Sequence, residues 1–215
     1  RDLRMSRGLG DVYKRQILFK TILSKLYHWK IYVVGSVEYQ YPNHLFQAGY
    51  FLDKKYYDEN TIDFKHLLLS EKNQSLLKDI QNSNSVGVHI RRGDYMTKQN
   101  LVIFGNICTQ KYYHDAIRII TEKVNDAVFY VFSDDISWVQ THLDIPNAVY
   151  VNWNTGESSI YDMYLMSSCK YNIIANSTFS YWAARLNKKT NMVIYPSKWY
   201  NTFTPDIFPE SWCGI

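Results

Sequence analysis

From residue 86 onward, short apolar runs alternate with segments of helical periodicity, and this alternation restricts the fold more than any other feature of the chain. The first of these helical segments begins after a capping residue, Thr109. Strands separated by helices favour a parallel, doubly wound α/β sheet. The five predicted strands are VGVHI, AVFYVFSDD, AVYVNW, YNIIAN and MVIYP.

The first 85 residues are less regular. Residues 17–28 have helical spacing, and the segment WKIYVVGS that follows is typical of a short strand ended by Gly35. An aromatic-rich, irregular stretch then leads to a helix capped by Ser70, which the polar segment QNSNS closes. Residues 1–16 are arginine-rich and lack an amphipathic period, so we interpret them as a non-native or disordered leader.

Composition limits the class of ligand and the compartment. A formal net charge of +4 is mild and forms no basic stripe, which argues against nucleic acid and favours an anionic small ligand or a membrane surface. Cys108, Cys169 and Cys213 lack the spacing of a disulfide framework or a zinc site, so we expect a reducing compartment. No apolar run approaches the roughly 20 residues that span a bilayer, which leaves peripheral contact as the expected membrane association.

Three polar clusters follow predicted strands at the point where each strand ends: HIRRGD, FSDD and ANSTFS. Loops at strand ends are often polar, but these three also carry groups suited to an anionic ligand. Ligands of parallel α/β sheets bind at the carboxyl ends of the strands. The sequence therefore predicts one site where the three clusters meet.

The first cluster contains two adjacent arginines and a glycine. Arg91 and Arg92 are suited to pair with phosphate oxygens, and Gly93 allows the backbone to approach a ligand closely. An ion pair with Asp94 is an equally simple role for one of them. Because side chains alternate along a strand, we expect the two arginines to point to opposite sides and to divide these roles. An adhesion motif at residues 92–94 is the remaining alternative, and it requires an exposed loop tip.

The other two clusters offer hydroxyls and carboxylates. The hydroxyls of Ser177, Thr178 and Ser180, with the free amides of a helix N-terminus, could receive phosphate or ribose oxygens, while N-capping by Ser177 or Asn176 is the simpler role. Adjacent acids at 134 and 135 could ligate Mg²⁺, bind the N1 and N2 donors of guanine, or be exposed loop acids. We favour the contact with guanine.

Two long motifs resemble the bacterial and animal α-1,2-fucosyltransferases, glycosyltransferase family 11. HIRRGDY resembles the HxRRGDY signature of that family, and DMYLMSSCKYNIIANSTFSYWAARLN resembles its second motif, in which Tyr181 replaces a tryptophan. AGYFLDKKYY resembles the family segment before the arginines, so the resemblance covers roughly residues 40 to 200. The opening glycine-rich motif of the family has no counterpart here, which makes the chain look like a fragment that begins inside an N-terminal lobe.

The resemblance implies a GT-B-like fold and an inverting, metal-independent transfer of L-fucose from GDP-fucose to the 2-hydroxyl of a terminal galactose on a glycan. It assigns residues 17–82 to a remnant of the acceptor-side lobe and 83–215 to the GDP-sugar-binding lobe. Arg91 is expected at the pyrophosphate, and Asp94 is the nearest candidate for a catalytic base. The expected substrate-binding residues are His89, Arg92, Asp134, Asp135, Asn176, Ser177, Thr178 and Ser180. We expect a cytoplasmic protein, with peripheral contact at the inner membrane as the open alternative.

Overall fold

The computed structural model describes residues 63–215 and the backbone of two short strands, β1 (Tyr32–Val34) and β2 (Phe46–Ala48). The chain forms two compact units, Arg1–Tyr57 and Asp58–Ile215. In the first unit β1 and β2 pair in parallel. The strand predicted in WKIYVVGS is therefore confirmed, whereas β2 lies in the stretch that the sequence indicated as irregular. The leader and the helix predicted at residues 17–28 lie outside the described residues.

The second unit contains a six-stranded sheet, and every pairing in it is parallel. The order is β5-β4-β3-β6-β7-β8, which is the strand order of a doubly wound Rossmann fold. The expected α/β class and all five predicted strands are confirmed. The sixth strand has only two residues and was not predicted. The strands are β3 (Asn84–Ile90), β4 (Ala127–Ser133), β5 (Ala148–Val151), β6 (Tyr171–Ile173), β7 (Met192–Tyr195) and β8 (Cys213–Gly214).

Six α-helices lie in residues 63–215. Ser70 and Thr109 cap two of them as predicted, since their hydroxyls accept backbone N–H groups of Asn73 and Tyr112 at 3.3 Å. The helices are α1 (Glu71–Asn82), α2 (Lys98–Phe104), α3 (Gln110–Thr121), α4 (Ile136–His142), α5 (Ser159–Ser167) and α6 (Thr178–Arg185). A 3₁₀ turn, Gly93–Met96, precedes α2, and neither element was predicted.

The helices bury both faces of the sheet, and the alternation along β4 illustrates this. Phe129 and Val131 belong to the core formed with α3 and α4, whereas Tyr130 and Phe132 belong to the core formed with α1, α5 and α6. Each fully buried side chain of this size stabilises the fold by about 1.5–3 kcal/mol. Because α1 packs on β3 and α5, it is part of the same unit as the sheet. The structural division at residues 57 and 58 thus lies before α1, and the sequence-based one at 82 and 83 lies after it.

The strand order reverses between β3 and β6, which are neighbours in the sheet. Ligands of open α/β sheets bind outside the carboxyl ends of the strands at such a switch point. Val88 pairs with Ile173, the last residue of β6, so the segments that follow both strands leave the sheet at the same edge. These segments begin at Arg91 and Ile174, and they carry two of the three polar clusters.

Candidate functional site

Arg91 is the first residue after β3, and its guanidinium is paired with two carboxylates. Nη2 lies 2.6 Å from Asp94 Oδ1, and Nη1 lies 2.8 Å from Asp134 Oδ2. The guanidinium carbon also lies 5.6 Å from the centre of the Tyr95 ring. The side chain is 34% exposed, so an anion can reach it from solvent. Arg91 is therefore an accessible cation whose position is fixed by acids on two loops.

Asp134 connects the loop after β4 to the loop after β3. Its Oδ1 accepts the backbone N–H of Arg92 at 2.9 Å, while its Oδ2 pairs with Arg91. Gly93 lies against it, since a Cβ atom at this position would be 2.5 Å from Asp134 Oδ2. The glycine of the arginine motif is thus required for close packing of the backbone against this carboxylate.

Arg92 points to different partners, as the alternation along β3 predicts. Its guanidinium carbon lies 3.6 Å from the centre of the Trp138 ring, and its Nε lies 3.2 Å from Asp135 Oδ2. The side chain is only 19% exposed. Such an arginine is not the free, exposed cation that an adhesion motif requires, and the structure therefore contradicts that alternative.

His89 lies on β3, two residues before Arg91, and is 6% exposed. Burial, with a smaller contribution from the charge of Arg91, lowers its pKa to about 3, so the imidazole is neutral near pH 7. The ring packs on Phe179 of α6 at 5.0 Å between centroids. Its buried Nδ1 has no hydrogen-bond partner among the described residues. His89 thus contributes a neutral polar ring at the junction of β3 and α6.

The turn between β6 and α6 carries the third cluster. Asn176 is buried, and its side-chain amide donates to the carbonyls of Trp199 and Phe104 at 3.0 and 3.3 Å. The Ser180 hydroxyl is buried and accepts the N–H of Ala175 at 3.2 Å. Both side chains therefore hold the turn in shape through internal contacts.

Ser177 occupies the N-cap position of α6, but its side chain makes no capping hydrogen bond. The predicted capping by Ser177 is therefore wrong. Asn176, the other predicted cap, directs its side chain to Trp199 and Phe104 instead. Thr178 is the first residue of α6 and is half-buried. Ser177 is 6% exposed, so its hydroxyl lies at the start of the helix with little access to solvent.

Sequence reasoning missed Asp162, a carboxylic acid on α5 that is 9% exposed. Asn154 Nδ2 donates to its Oδ1 at 2.7 Å, and Asn154 is in turn bonded to Asn73 of α1 at 3.0 Å. Burial raises the pKa of Asp162 to about 7, against the lowering effect of that hydrogen bond. The signal in the sequence is a lone acid in the otherwise apolar segment DMYLM.

The described part of the chain contains neither a cluster suited to a metal ion nor a helix that could span a membrane. No group of three or more His, Cys, Asp or Glu side chains in this part of the chain is arranged to hold a metal ion. None of the described helices is long and apolar enough to cross a bilayer.

Comparison with known proteins agrees with the motifs. The chain matches the family described as Glycosyl transferase family 11 over residues 12–215, a match that includes the last residues of the segment interpreted as a leader. It is 34% identical to an Alpha-1,2-colitosyltransferase of Escherichia coli, over 97% of this chain and 73% of that protein.

Other relatives match over shorter lengths. The chain is 44% identical to the O-antigen biosynthesis glycosyltransferase WbnK of Escherichia coli, over 56% of this chain and 40% of that protein. It is 28% identical to Galactoside alpha-(1,2)-fucosyltransferase 2 of Pongo pygmaeus, over 70% of this chain and 48% of that protein. The chain thus spans about half or less of the length of these two relatives. Among solved structures it is similar to the fucosyltransferase NodZ from Bradyrhizobium, at 16% identity and a TM-score of 0.43, over 70% of this chain and 53% of that one.

Proposed function

The chain belongs to glycosyl transferase family 11, and on that premise we propose that it binds GDP-fucose at the switch point between β3 and β6. We further propose transfer of L-fucose, with inversion and without a metal, to the 2-hydroxyl of a terminal galactose on a glycan. The observation that carries this proposal is the position of Arg91, an accessible cation at the carboxyl end of β3 where the strand order reverses.

Arg91 has the chemistry that the leaving group needs. As the bond between fucose and phosphate breaks, negative charge grows on GDP and positive charge grows on the sugar. A guanidinium that is already in place pairs more strongly with the phosphate as that charge grows, which lowers the barrier. Asp134 holds Arg91 from one side, and the pyrophosphate would replace the more exposed carboxylate, Asp94, on the other.

The remaining roles follow the same geometry. We assign the neutral ring of His89 to the nucleoside side, because its Nδ1 lacks a hydrogen-bond partner in the part of the chain that the structure describes. The hydroxyls of Ser177 and Thr178 at the start of α6 are assigned to phosphate or ribose oxygens. Asp94 becomes available as a base for the acceptor hydroxyl once the phosphate has displaced it from Arg91. The contact of guanine with Asp134 or Asp135 stays a prediction. Both acids already have partners within the protein, so guanine would have to share or displace these contacts.

The acceptor and the location are also proposals. The 2-hydroxyl of galactose is supported by the likeness to galactoside α-(1,2)-fucosyltransferases, of which the chain covers about half the length. A glycan in surface polysaccharide synthesis suits the likeness to an O-antigen biosynthesis enzyme. We propose a cytoplasmic protein that contacts the membrane peripherally.

A second candidate donor carries colitose in place of fucose. The likeness to an alpha-1,2-colitosyltransferase extends over 97% of this chain, further than the likeness to the fucosyltransferases. Colitose is fucose without its 3-hydroxyl, so the two donors differ by one hydrogen-bonding group. A site built to bond that hydroxyl rejects the deoxy sugar by a large factor, whereas an apolar site discriminates weakly.

Calorimetric titration tests the donor site. With EDTA present, we expect the chain to bind GDP and to bind UDP and GTP much more weakly. Arg91→Ala should reduce the affinity for GDP by roughly 100-fold, since a charge-paired donor of this kind contributes about 3 kcal/mol. Equal binding of GDP and UDP by a folded chain, or an unchanged affinity in the variant, would contradict the proposal.

A transfer assay tests the reaction. Incubation with GDP-fucose or GDP-colitose and a β-galactoside, followed by NMR of the product, gives the sugar and the linkage. Transfer of fucose to the 2-hydroxyl supports the first candidate, and preferred transfer of colitose supports the second. Fucose attached at another hydroxyl would instead indicate a fucosyltransferase of different linkage.

A further inference from the structure

The two arginines of the motif have different surroundings, and those of Arg92 suggest a separate role. Its guanidinium lies over Trp138, with the guanidinium carbon 3.6 Å from the ring centre, and its Nε contacts Asp135 at 3.2 Å. With 19% exposure, this is the less accessible of the two cations. An arginine held in this way has its ring-stacking face and its Nε already occupied, which disfavours contact with a phosphate.

The surface that holds Arg92 is itself fixed. Asp135 caps α4, because its Oδ1 accepts the N–H of Trp138 at 3.1 Å. The Trp138 ring stacks on His142 at 4.5 Å with an interplanar angle of 11°, and His142 Nδ1 donates to the carbonyl of Trp138 at 2.9 Å. The indole thus contacts both Arg92 and His142.

One carboxylate, that of Asp134, contacts both Arg92 and Arg91. The backbone N–H of Arg92 donates to Asp134 Oδ1 at 2.9 Å, and the other oxygen of Asp134 pairs with Arg91 Nη1 at 2.8 Å. If the Arg92 side chain loses its place on Trp138, the backbone that carries this N–H is free to move. Asp134 then loses the contact that orients it, and Arg91 loses its fixed partner.

We propose that Trp138 and Asp135 are positioning residues, which hold Arg92 away from the ligand and, through Arg92 and Asp134, fix the guanidinium of Arg91. This inference rests on the proposed donor site at Arg91. It makes Arg91 the single phosphate-binding cation of the pair, and it gives Asp135 a role that differs from the predicted contact with guanine.

The first test needs no ligand. In ¹⁵N NMR spectra of the arginine side chains, ring current from Trp138 should shift the Arg92 Nε–H signal, and Arg91 should give one sharp signal. Trp138→Leu should abolish the shift and also broaden or move the Arg91 signal. Trp138→Phe keeps an aromatic face and should restore both. An Arg91 signal that is the same in the unaltered chain and in Trp138→Leu overturns the inference.

Leu143→Ala is the matched control for loss of stability. Leu143 is buried on the core side at the end of α4, so this change weakens the packing of the same helix without touching Arg92. The melting temperature should fall in both Leu143→Ala and Trp138→Leu. In Leu143→Ala, however, the Arg91 signal should stay in place. If the Arg91 signal shifts in this control, the signal reports only a general loosening of α4, and the inference is overturned.

The second test measures the affinity for GDP and for inorganic pyrophosphate. Trp138→Leu should weaken the binding of both about tenfold, whereas Trp138→Phe should stay within about twofold of the unaltered chain. Arg92→Lys should resemble Trp138→Leu, because an ammonium neither stacks flat nor provides Nε. If the unaltered chain binds GDP and all variants bind it equally, the positioning role is wrong. If the unaltered chain does not bind GDP, the proposed function fails, and the NMR comparison still decides the positioning role.

Discussion

Tyr95 and Asn176 join the two sides of the switch point: the Tyr95 hydroxyl, on the 3₁₀ turn after β3, donates to the backbone carbonyl of Asn176, after β6, at 3.0 Å. The Tyr95 ring stacks on Phe104 of α2 at 4.5 Å, and burial raises the pKa of its phenol to about 12. Because the phenol stays protonated at neutral pH, it remains a donor. This bond fixes the turn that carries Arg91 and Asp94 against the turn that starts α6.

Tyr95→Phe removes this bond while keeping the ring. We expect the free energy of unfolding to fall by about 1 kcal/mol, the usual value of one hydrogen bond. The affinity for GDP should fall about threefold, because the two turns are no longer joined. Tyr150→Phe on β5 is the matched control, and it should leave the affinity unchanged. Calorimetry and urea unfolding measure both quantities, and equal affinities for GDP in the two variants would contradict the role of the bond.

Gly93→Ala tests the packing of the arginine turn on Asp134. The new Cβ would lie 2.5 Å from Asp134 Oδ2, so the carboxylate must move away from both arginines. We expect a loss of stability of about 1–3 kcal/mol, as is usual for overpacking, together with weaker binding of GDP.

Gly156→Ala separates this crowding from backbone strain. Gly156 has a φ of +59°, which disfavours alanine, but its Cβ position has nothing within 4 Å. Its replacement should reduce stability and leave the affinity for GDP unchanged. A Gly93→Ala variant that binds GDP as tightly as the unaltered chain would show that Asp134 need not be held in place.

Asp94→Asn tests the displacement of Asp94 by phosphate. Asp94 is 56% exposed and pairs with Arg91 at 2.6 Å, so a bound pyrophosphate must compete with it. Exposed ion pairs contribute up to about 1 kcal/mol, and the variant should therefore bind GDP about two- to fivefold more tightly. Asp115→Asn, which removes an exposed ion pair with Lys111 on α3, is the control and should bind GDP normally. Weaker binding in Asp94→Asn would indicate that Asp94 itself supports the ligand.

Local sequence patterns were sufficient to predict most of the sheet. β3 and β4 contain the apolar runs VGV and AVFYVF, and the helices next to the strands carry periodic apolar residues and, at Ser70 and Thr109, hydroxyl caps. The carboxyl ends of parallel strands necessarily share one edge, so the meeting of HIRRGD, FSDD and ANSTFS could also be predicted. These features depend on residues near one another in the sequence.

The features that the sequence did not indicate depend on contacts between residues far apart in the chain. Helix α2 ends where the side-chain amide of Asn201 donates to the carbonyls of Val102 and Gly105, about a hundred positions earlier in the chain. The contact of Arg92 with Trp138 likewise joins the loop after β3 to α4, more than 40 residues further along the chain. The titration of Asp162 depends on how deeply α5 buries it. No periodicity or spacing reports such contacts.

Asp162 makes the stability of the fold depend on pH in an unusual direction. Burial raises its pKa from 3.8 to about 7, so between these values the folded chain holds a proton that the unfolded chain has released. The contribution of Asp162 to stability is therefore complete below pH 4 and is lost as the pH rises to 7. His89 acts in the opposite sense, since its lowered pKa reduces stability as the pH falls below 6.5.

Asp162→Asn should remove the first of these effects, because its amide is neutral at every pH. We expect the variant to gain stability relative to the unaltered chain as the pH rises from 5 to 8, by up to about 3 kcal/mol, because the folded pKa of Asp162 lies about two units above the lower end of this range. Urea unfolding at pH 5, 6, 7 and 8 measures the difference, and Asp144→Asn, at an exposed position, is the control with no such trend. Parallel profiles for Asp162→Asn and the unaltered chain would mean that Asp162 is ionised throughout this range, and that α5 tolerates a buried charge beside Asn154.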